Sequence, residues 1–148
     1  MKITALNEQV YIQVVLAPES GPTTATLPAS YIDVTNFERF AFVISAGALG
    51  ASATVDAQVV QATAAAGTGS KNITGAAMTQ FTDTDDDTFV TIEVQSDQLD
   101  IANDFRYVAI TVTIANTADL EVLFLGLNPR HVPVTQPAAY GEAVQVAG

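Results

Sequence analysis

Apolar residues in this chain recur at every second position, and no window of 12 or more residues carries a convincing helical period. Period-two alternation is the main signature of strands that bury one face. From Val10 to Leu16, Val10, Ile12, Val14 and Leu16 share one face and Tyr11, Gln13 and Val15 the other. Phe40 to Ser45 sets Phe40, Phe42 and Ile44 opposite Ala41, Val43 and Ser45. Thr54 to Ala62 sets Val55, Ala57 and Val59 opposite Asp56, Gln58 and Val60. Phe89 to Val94 and Arg106 to Ile114 repeat the pattern. Leu120 to Leu127 is apolar on both faces, as expected of a central strand in a sandwich. Shorter extended pieces are expected at Tyr31–Val34, Asn72–Thr74 and Leu99–Ile101, with room for a short helical turn near Gly75–Thr79.

Turn chemistry separates the runs: Pro18-Glu19-Ser20-Gly21-Pro22, Gly47-Ala48-Leu49-Gly50, Ala66-Gly67-Thr68-Gly69, Asp83 to Asp87, and Ala115-Asn116-Thr117. Roughly eight short strands with frequent turns predict an all-β chain, an antiparallel β-sandwich or jelly-roll-like single domain. Two segments fall outside the alternation. Residues 1–9 form a short polar lead-in, and residues 128–148 carry Pro129, Pro133 and Pro137 among Ala, Val and Gln. Proline at that spacing blocks helix and resists ladder pairing, so the tail is expected as an extended arm. Its Val132, Val134, Tyr140, Val144 and Val146 are too apolar for a solvated linker alone. A frayed terminus and an arm that orders on a neighbouring subunit both fit. The division is therefore 1–9 N-terminal arm, 10–127 β-sandwich domain and 128–148 C-terminal arm.

Composition narrows function mainly by exclusion. The chain has 148 residues, enough for one domain that folds without a staple. With no cysteine there are no disulfides, thiolate metal sites or cysteine nucleophiles. Five basic residues stand against sixteen acidic ones, a net charge of −11, and the basic ones are scattered. Nucleic acid and anionic membranes are poor partners for such a surface. No run of 18 apolar residues offers a bilayer span, and the first residues hold no apolar stretch of the kind that opens a secretion signal.

Each motif that resembles chemistry fails on its own terms. Half of the acidic residues fall between Asp83 and Asp104, in a stretch without Lys or Arg. Asp83-Thr84-Asp85-Asp86-Asp87 starts like a calcium loop, but Thr88 and Val94 occupy the places where Gly and Glu are needed. A solvated acidic turn is the simpler reading, and no cofactor or metal is expected. His131 is the sole histidine, and no Gly-x-Ser-x-Gly elbow accompanies it. Gly67-Thr68-Gly69-Ser70-Lys71 departs from the phosphate-loop spacing and reads as a hairpin tip. Asn72-Ile73-Thr74 is formally a glycosylation triplet, without a secretion signal to give it meaning. Paired carboxylates of a glycosidase usually stand beside aromatic sugar platforms, and there is no Trp. The chain is not expected to be an enzyme.

Three stretches carry a resemblance. The first is Met1-Lys2-Ile3-Thr4-Ala5-Leu6-Asn7-Glu8-Gln9-Val10. The second is Val59-Val60-Gln61-Ala62-Thr63 with Gly67-Thr68-Gly69-Ser70-Lys71-Asn72-Ile73-Thr74-Gly75. The third is Leu99-Asp100-Ile101-Ala102-Asn103-Asp104-Phe105-Arg106-Tyr107-Val108, followed by Leu125-Gly126-Leu127-Asn128-Pro129-Arg130. Together they resemble the small β-rich head decoration, or cement, proteins of tailed bacteriophages. The resemblance implies a non-enzymatic virion protein on the outer surface of the capsid. Such a protein would bridge capsomers of a major capsid protein of HK97-like fold and stabilise the shell. It also implies a homo-oligomer, with a trimer favoured. The contact regions would then be the two arms: Lys2, Ile3 and Leu6 in the first, and Arg130, His131, Val132, Val134, Tyr140 and Val144 in the second. Arg130 and His131 would anchor the C-terminal arm, and Arg39 and Arg106 would pair with acids within the chain or across interfaces. The alternatives are a tail, connector, baseplate or host-binding component, a carbohydrate-binding β-sandwich and, least favoured, a small hydrolase.

Overall fold

A computed structural model describes residues 5–144 and 146. Leu6–Gln9 form one helical turn, α1, in which Glu8 Oε2 accepts a hydrogen bond from Ala5 N–H at 3.1 Å. Nine strands follow: β1 (Tyr11–Ser20), β2 (Ala25–Asp33), β3 (Phe37–Leu49), β4 (Thr54–Ala62), β5 (Lys71–Ala77), β6 (Phe81–Thr82), β7 (Phe89–Gln95), β8 (Tyr107–Ala115) and β9 (Ala118–Pro129). The first sheet has the order β1-β9-β3-β7, the second β2-β8-β4-β5 with β6 also pairing β4, and every pairing is antiparallel.

The winding follows from nested pairs. β4 pairs β5, β3 pairs β7, β2 pairs β8 and β1 pairs β9, as in one long hairpin. Rolling that hairpin over itself brings β9 beside β3 and β8 beside β4, which closes both sheets. This is the jelly-roll arrangement of two packed sheets.

Alternation decides which side chains meet between the sheets. The first sheet turns Phe40, Phe42, Ile44, Val122 and Phe124 inward, all fully buried. The second answers with smaller groups: Val55, Ala57, Val59, Val108, Ile110 and Val112. Large rings against short branched side chains fill the gap between sheets without voids. Phe124 is the hub of the ring cluster. Its centroid lies 5.2 Å from Phe42, 5.9 Å from Phe40, 6.0 Å from Tyr11 and 6.4 Å from Phe37.

The structure corrects several local expectations. Gly75–Thr79 is not helical: Lys71–Ala77 is strand β5, with Gly75 at φ +81°. Pairing with β4 overrides the weak local preference there. Leu99–Ile101 forms no strand. Leu99 has extended backbone angles but follows one 3-10 turn, Ser96–Gln98, and Ile101 opens a second, Ile101–Asn103. Gln98 Oε1 accepts from Gln95 N–H, and Gln61 Oε1 from Asp100 N–H, so side chains hold the coil. β9 runs two residues past the expected domain end at 127, with Pro129 opposite Phe37.

Gly126 shows how tightly the ring cluster closes. A Cβ at this position would lie 2.6 Å from atoms of the Phe37 ring. Gly126→Ala is expected to destabilise the domain by about 1–3 kcal/mol through overpacking. Urea unfolding checks this. A midpoint equal to that of the parent chain would show that the Phe37 ring moves aside freely.

Candidate functional site

The outward faces of the two sheets differ in chemistry. On the second sheet, Asp56 and Gln58 of β4 face outward beside Thr111 and Thr113 of β8. Thr26 of β2 joins them, its hydroxyl 2.8 Å from that of Thr111. This is the polar exterior expected of a half-wet antiparallel sheet.

The first sheet breaks that rule. Register places Ile12, Leu125 and Ala41 in one outward row, with Val14, Leu123 and Val43 in the next. Leu127 extends the stripe beside Arg39, and Phe89 of the edge strand β7 pairs with Ser45. Among the described residues Ala41 is buried, Ile12, Val43, Leu123, Leu125 and Leu127 are half-buried, and Val14 is 52% exposed. Polar groups stand at the rim. Arg39 forms an ion pair with Glu93 at 3.0 Å, and Glu121 pairs with Ser45. These side chains form an apolar stripe with a charged rim.

The C-terminal segment folds back before it leaves the domain. Asn36 grips its first residues: Asn36 O accepts from Arg130 N–H at 2.7 Å, and Asn36 Oδ1 accepts from His131 N–H at 3.0 Å. Val134 is buried, and its N–H donates to Glu8 O at 2.9 Å. Gln136 then closes the free edge of β1. Its carboxamide accepts from Ile12 N–H at 3.0 Å and donates to Val10 O at 2.6 Å and Asn7 O at 2.9 Å. A side-chain amide thus takes the place of a neighbouring strand, which blunts an exposed edge.

The residues expected to form contacts therefore divide. Lys2 and Ile3 lie outside the described residues. Leu6, Arg130, His131, Val132 and Val144 are exposed. Val134 is buried against its own chain and Tyr140 is half-buried. Val132 borders a groove with Val10, Arg39 and Leu127, so it continues the apolar stripe at one end. Anchorage of the arm uses the main chain of Arg130 and His131, not their side chains. Of the two other arginines, Arg39 does pair with an acid of its own chain, and Arg106 forms no ion pair among the described residues. The outward Ile12, Val14, Val43, Leu123, Leu125 and Leu127 were not anticipated as a site. The signal lies in Leu120–Leu127, which is apolar on both faces, since periodicity alone does not tell a second buried face from an outward one.

The acidic stretch is built into turns. Asp83 Oδ2 accepts from Ser52 N–H at 2.7 Å, Asp86 Oδ1 from Leu49 N–H at 2.6 Å, and Asp85 Oδ2 from Thr82 N–H at 2.8 Å. Among the described residues no group of three or more metal-ligating side chains converges. His131 lines an open groove of about 800 Å³ that also contains Asp33, Tyr11 and Tyr31. The Asp33 carboxylate is occupied by the N–H and hydroxyl of Thr35, and among the described residues no hydroxyl or carboxylate hydrogen-bonds the imidazole. The glycine loop is a hairpin tip. Strand β5 starts at Lys71, whose ammonium bonds Asp100 and sits 4.0 Å over the Phe105 ring.

Two tests follow from these contacts. Gln136→Ala is expected to lower stability by about 1–2 kcal/mol and to speed hydrogen exchange at the Ile12 amide. Unchanged exchange there would show that the amide clasp does not protect the edge. The hydrogen bond from Lys71, reinforced by Asn103, holds the Asp100 carboxyl below its ordinary value of 3.8. A depressed folded-state pKa gives a contribution that is present above 3.8 and fades as the pH falls below it. Parent and Asp100→Asn chains should therefore differ in stability at neutral pH and converge in acid, as read by denaturant titrations at several pH values.

Comparison with protein-family models, with curated protein sequences and with solved structures returned no match.

Proposed function

We propose that this chain is a structural component of a bacteriophage head, a decoration protein on the outer surface of the capsid that bridges major capsid protein subunits and stabilises the shell. The observation that carries the reading is the apolar outward face of the β1-β9-β3-β7 sheet. Its side chains Ile12, Val14, Val43, Leu123 and Leu125 need a covering partner, and a capsid subunit supplies one.

Its size favours a repetitive partner over a free-standing pair. Strand spacing and rise give a stripe of roughly 20 Å by 15–20 Å, on the order of 300–400 Å². A stable interface of standard size uses about 800 Å² from each partner. One such contact is weak, whereas several made at once by a trimer on a lattice add through multivalency. The net charge of −11 supports the same location, since an acidic exterior does not adsorb nucleic acid.

The test combines copy number with one surface change. Quantitative mass spectrometry of source particles should find hundreds of copies, and light scattering should find a trimer. A Val14→Asp/Leu125→Asp double variant should keep its fold by circular dichroism yet lose at least about tenfold in binding to undecorated shells. Undiminished binding would remove the sheet face from the interface. A handful of copies per particle would move the assignment to a tail or connector part.

A further inference from the structure

Among the described residues there are four cations, and two of them are already committed: Arg39 to Glu93 and Lys71 to Asp100. The other two, Arg106 and Arg130, form no ion pair with any described carboxylate, although acids outnumber bases sixteen to five. Both line the same pocket of about 340 Å³, whose apolar walls are Val34, Leu99, Ile101 and Phe105. Arg130 is set in place by the Asn36 contact to its main chain. Arg106 is fixed by its N–H to Ala62 O at 3.2 Å, with its guanidinium 5.6 Å over the Tyr107 ring. Asp104 also lines the pocket, and Asp33 acts on Arg106 through space, but neither reaches ion-pair distance. The pocket is therefore lined by two arginines and one aspartate beside an apolar wall. Its complement is a carboxylate with an apolar side chain close behind it.

The chain carries that complement in its own tail. In an extended segment, residues two apart point to the same side about 7 Å from each other. Glu142 and Val144 would thus share one side, carboxylate first and an apolar group after it. Both are exposed, and neither lines the pocket of its own chain. On so acidic a surface a carboxylate-bearing tail meets repulsion almost everywhere and attraction at this pocket, which gives the contact its specificity.

We infer that the Arg106–Arg130 pocket receives the Glu142–Val144 segment of a second copy of this chain, with Glu142 beside the two arginines and Val144 against Leu99 and Phe105. This contact links copies head to tail and is independent of what covers the apolar sheet face.

Charge reversal tests it in the full chain. Arg130→Glu and Glu142→Arg should each weaken self-association at least about tenfold in sedimentation equilibrium. An equimolar mixture of the two variants should recover it. In that mixture the Glu142 tail of the Arg130→Glu chain meets the intact Arg106–Arg130 pocket of the Glu142→Arg chain, which restores one parental contact and separates exchange between copies from folding back within one copy. Self-association unchanged by either reversal, no recovery on mixing, or a parent chain that stays monomeric at millimolar concentration would each overturn the inference. Failure of shell binding with this contact intact would instead count against the capsid reading alone.

Discussion

The meeting of large rings with small branched side chains between the two sheets governs the rest of the molecule. Phe124 sits in an inner strand of the first sheet and touches Tyr11 of β1 and Phe37, Phe40 and Phe42 of β3. Those rings occupy enough depth that the facing strands β4 and β8 can present only Val, Ala and Ile. Burying each ring contributes on the order of 2–3 kcal/mol, so this cluster sets both the spacing of the sheets and the register of β1 and β3 on β9. With register fixed, every outward residue is fixed too, because the side-chain period is two. The apolar exterior of the first sheet and its polar counterpart are therefore consequences of the interior pattern.

Alternation made the main strands legible from the sequence. Phe40–Ser45, Thr54–Ala62 and Phe89–Val94 fall within observed strands, and Val10–Leu16 and Arg106–Ile114 each begin one residue before theirs. Local signals failed where tertiary pairing or side-chain hydrogen bonds decide. Ala77, at the end of the Gly75–Ala77 stretch, gains its ladder partner from Gln58 of β4, a pairing that its own small residues do not signal. The turns around Leu99 are held by Gln61, which accepts from Asp100 N–H, and Gln98, which accepts from Gln95 N–H, contacts that no periodicity reveals. The sheet face was half legible. Leu123, Leu125 and Leu127 were visible as apolar, but whether a second apolar face looks into a core or out of it depends on the number of layers. Pairing of Arg106 with Arg130 at one pocket was not legible at all, since they lie on different strands' ends.

The tail combines two behaviours that its proline spacing could not separate. Its first half belongs to the domain: Val134 is buried and Gln136 closes the edge of β1. Beyond the turn in which Tyr140 N–H donates to Pro137 O at 2.9 Å, the chain presents Glu142, Val144 and Val146 to solvent. An anchor at the root with a free end reduces the entropy lost when that end docks, because only a few residues remain to be ordered.

The nested pairing also bears on how the chain reaches its fold. Joining Tyr11 to Gly126 directly would close a loop of more than one hundred residues, whereas β4 and β5 need close only residues 63–70. The difference in loop-closure entropy is about 2 kcal/mol at the first step. Once the inner hairpin has formed, β3 and β7 find each other across a shorter effective loop, and the same holds in turn for β2 with β8 and β1 with β9. A jelly roll built on nested pairs can thus zip outward from its middle, and the terminal strands, where the tail clasp and the outward Val14 reside, are the last to join.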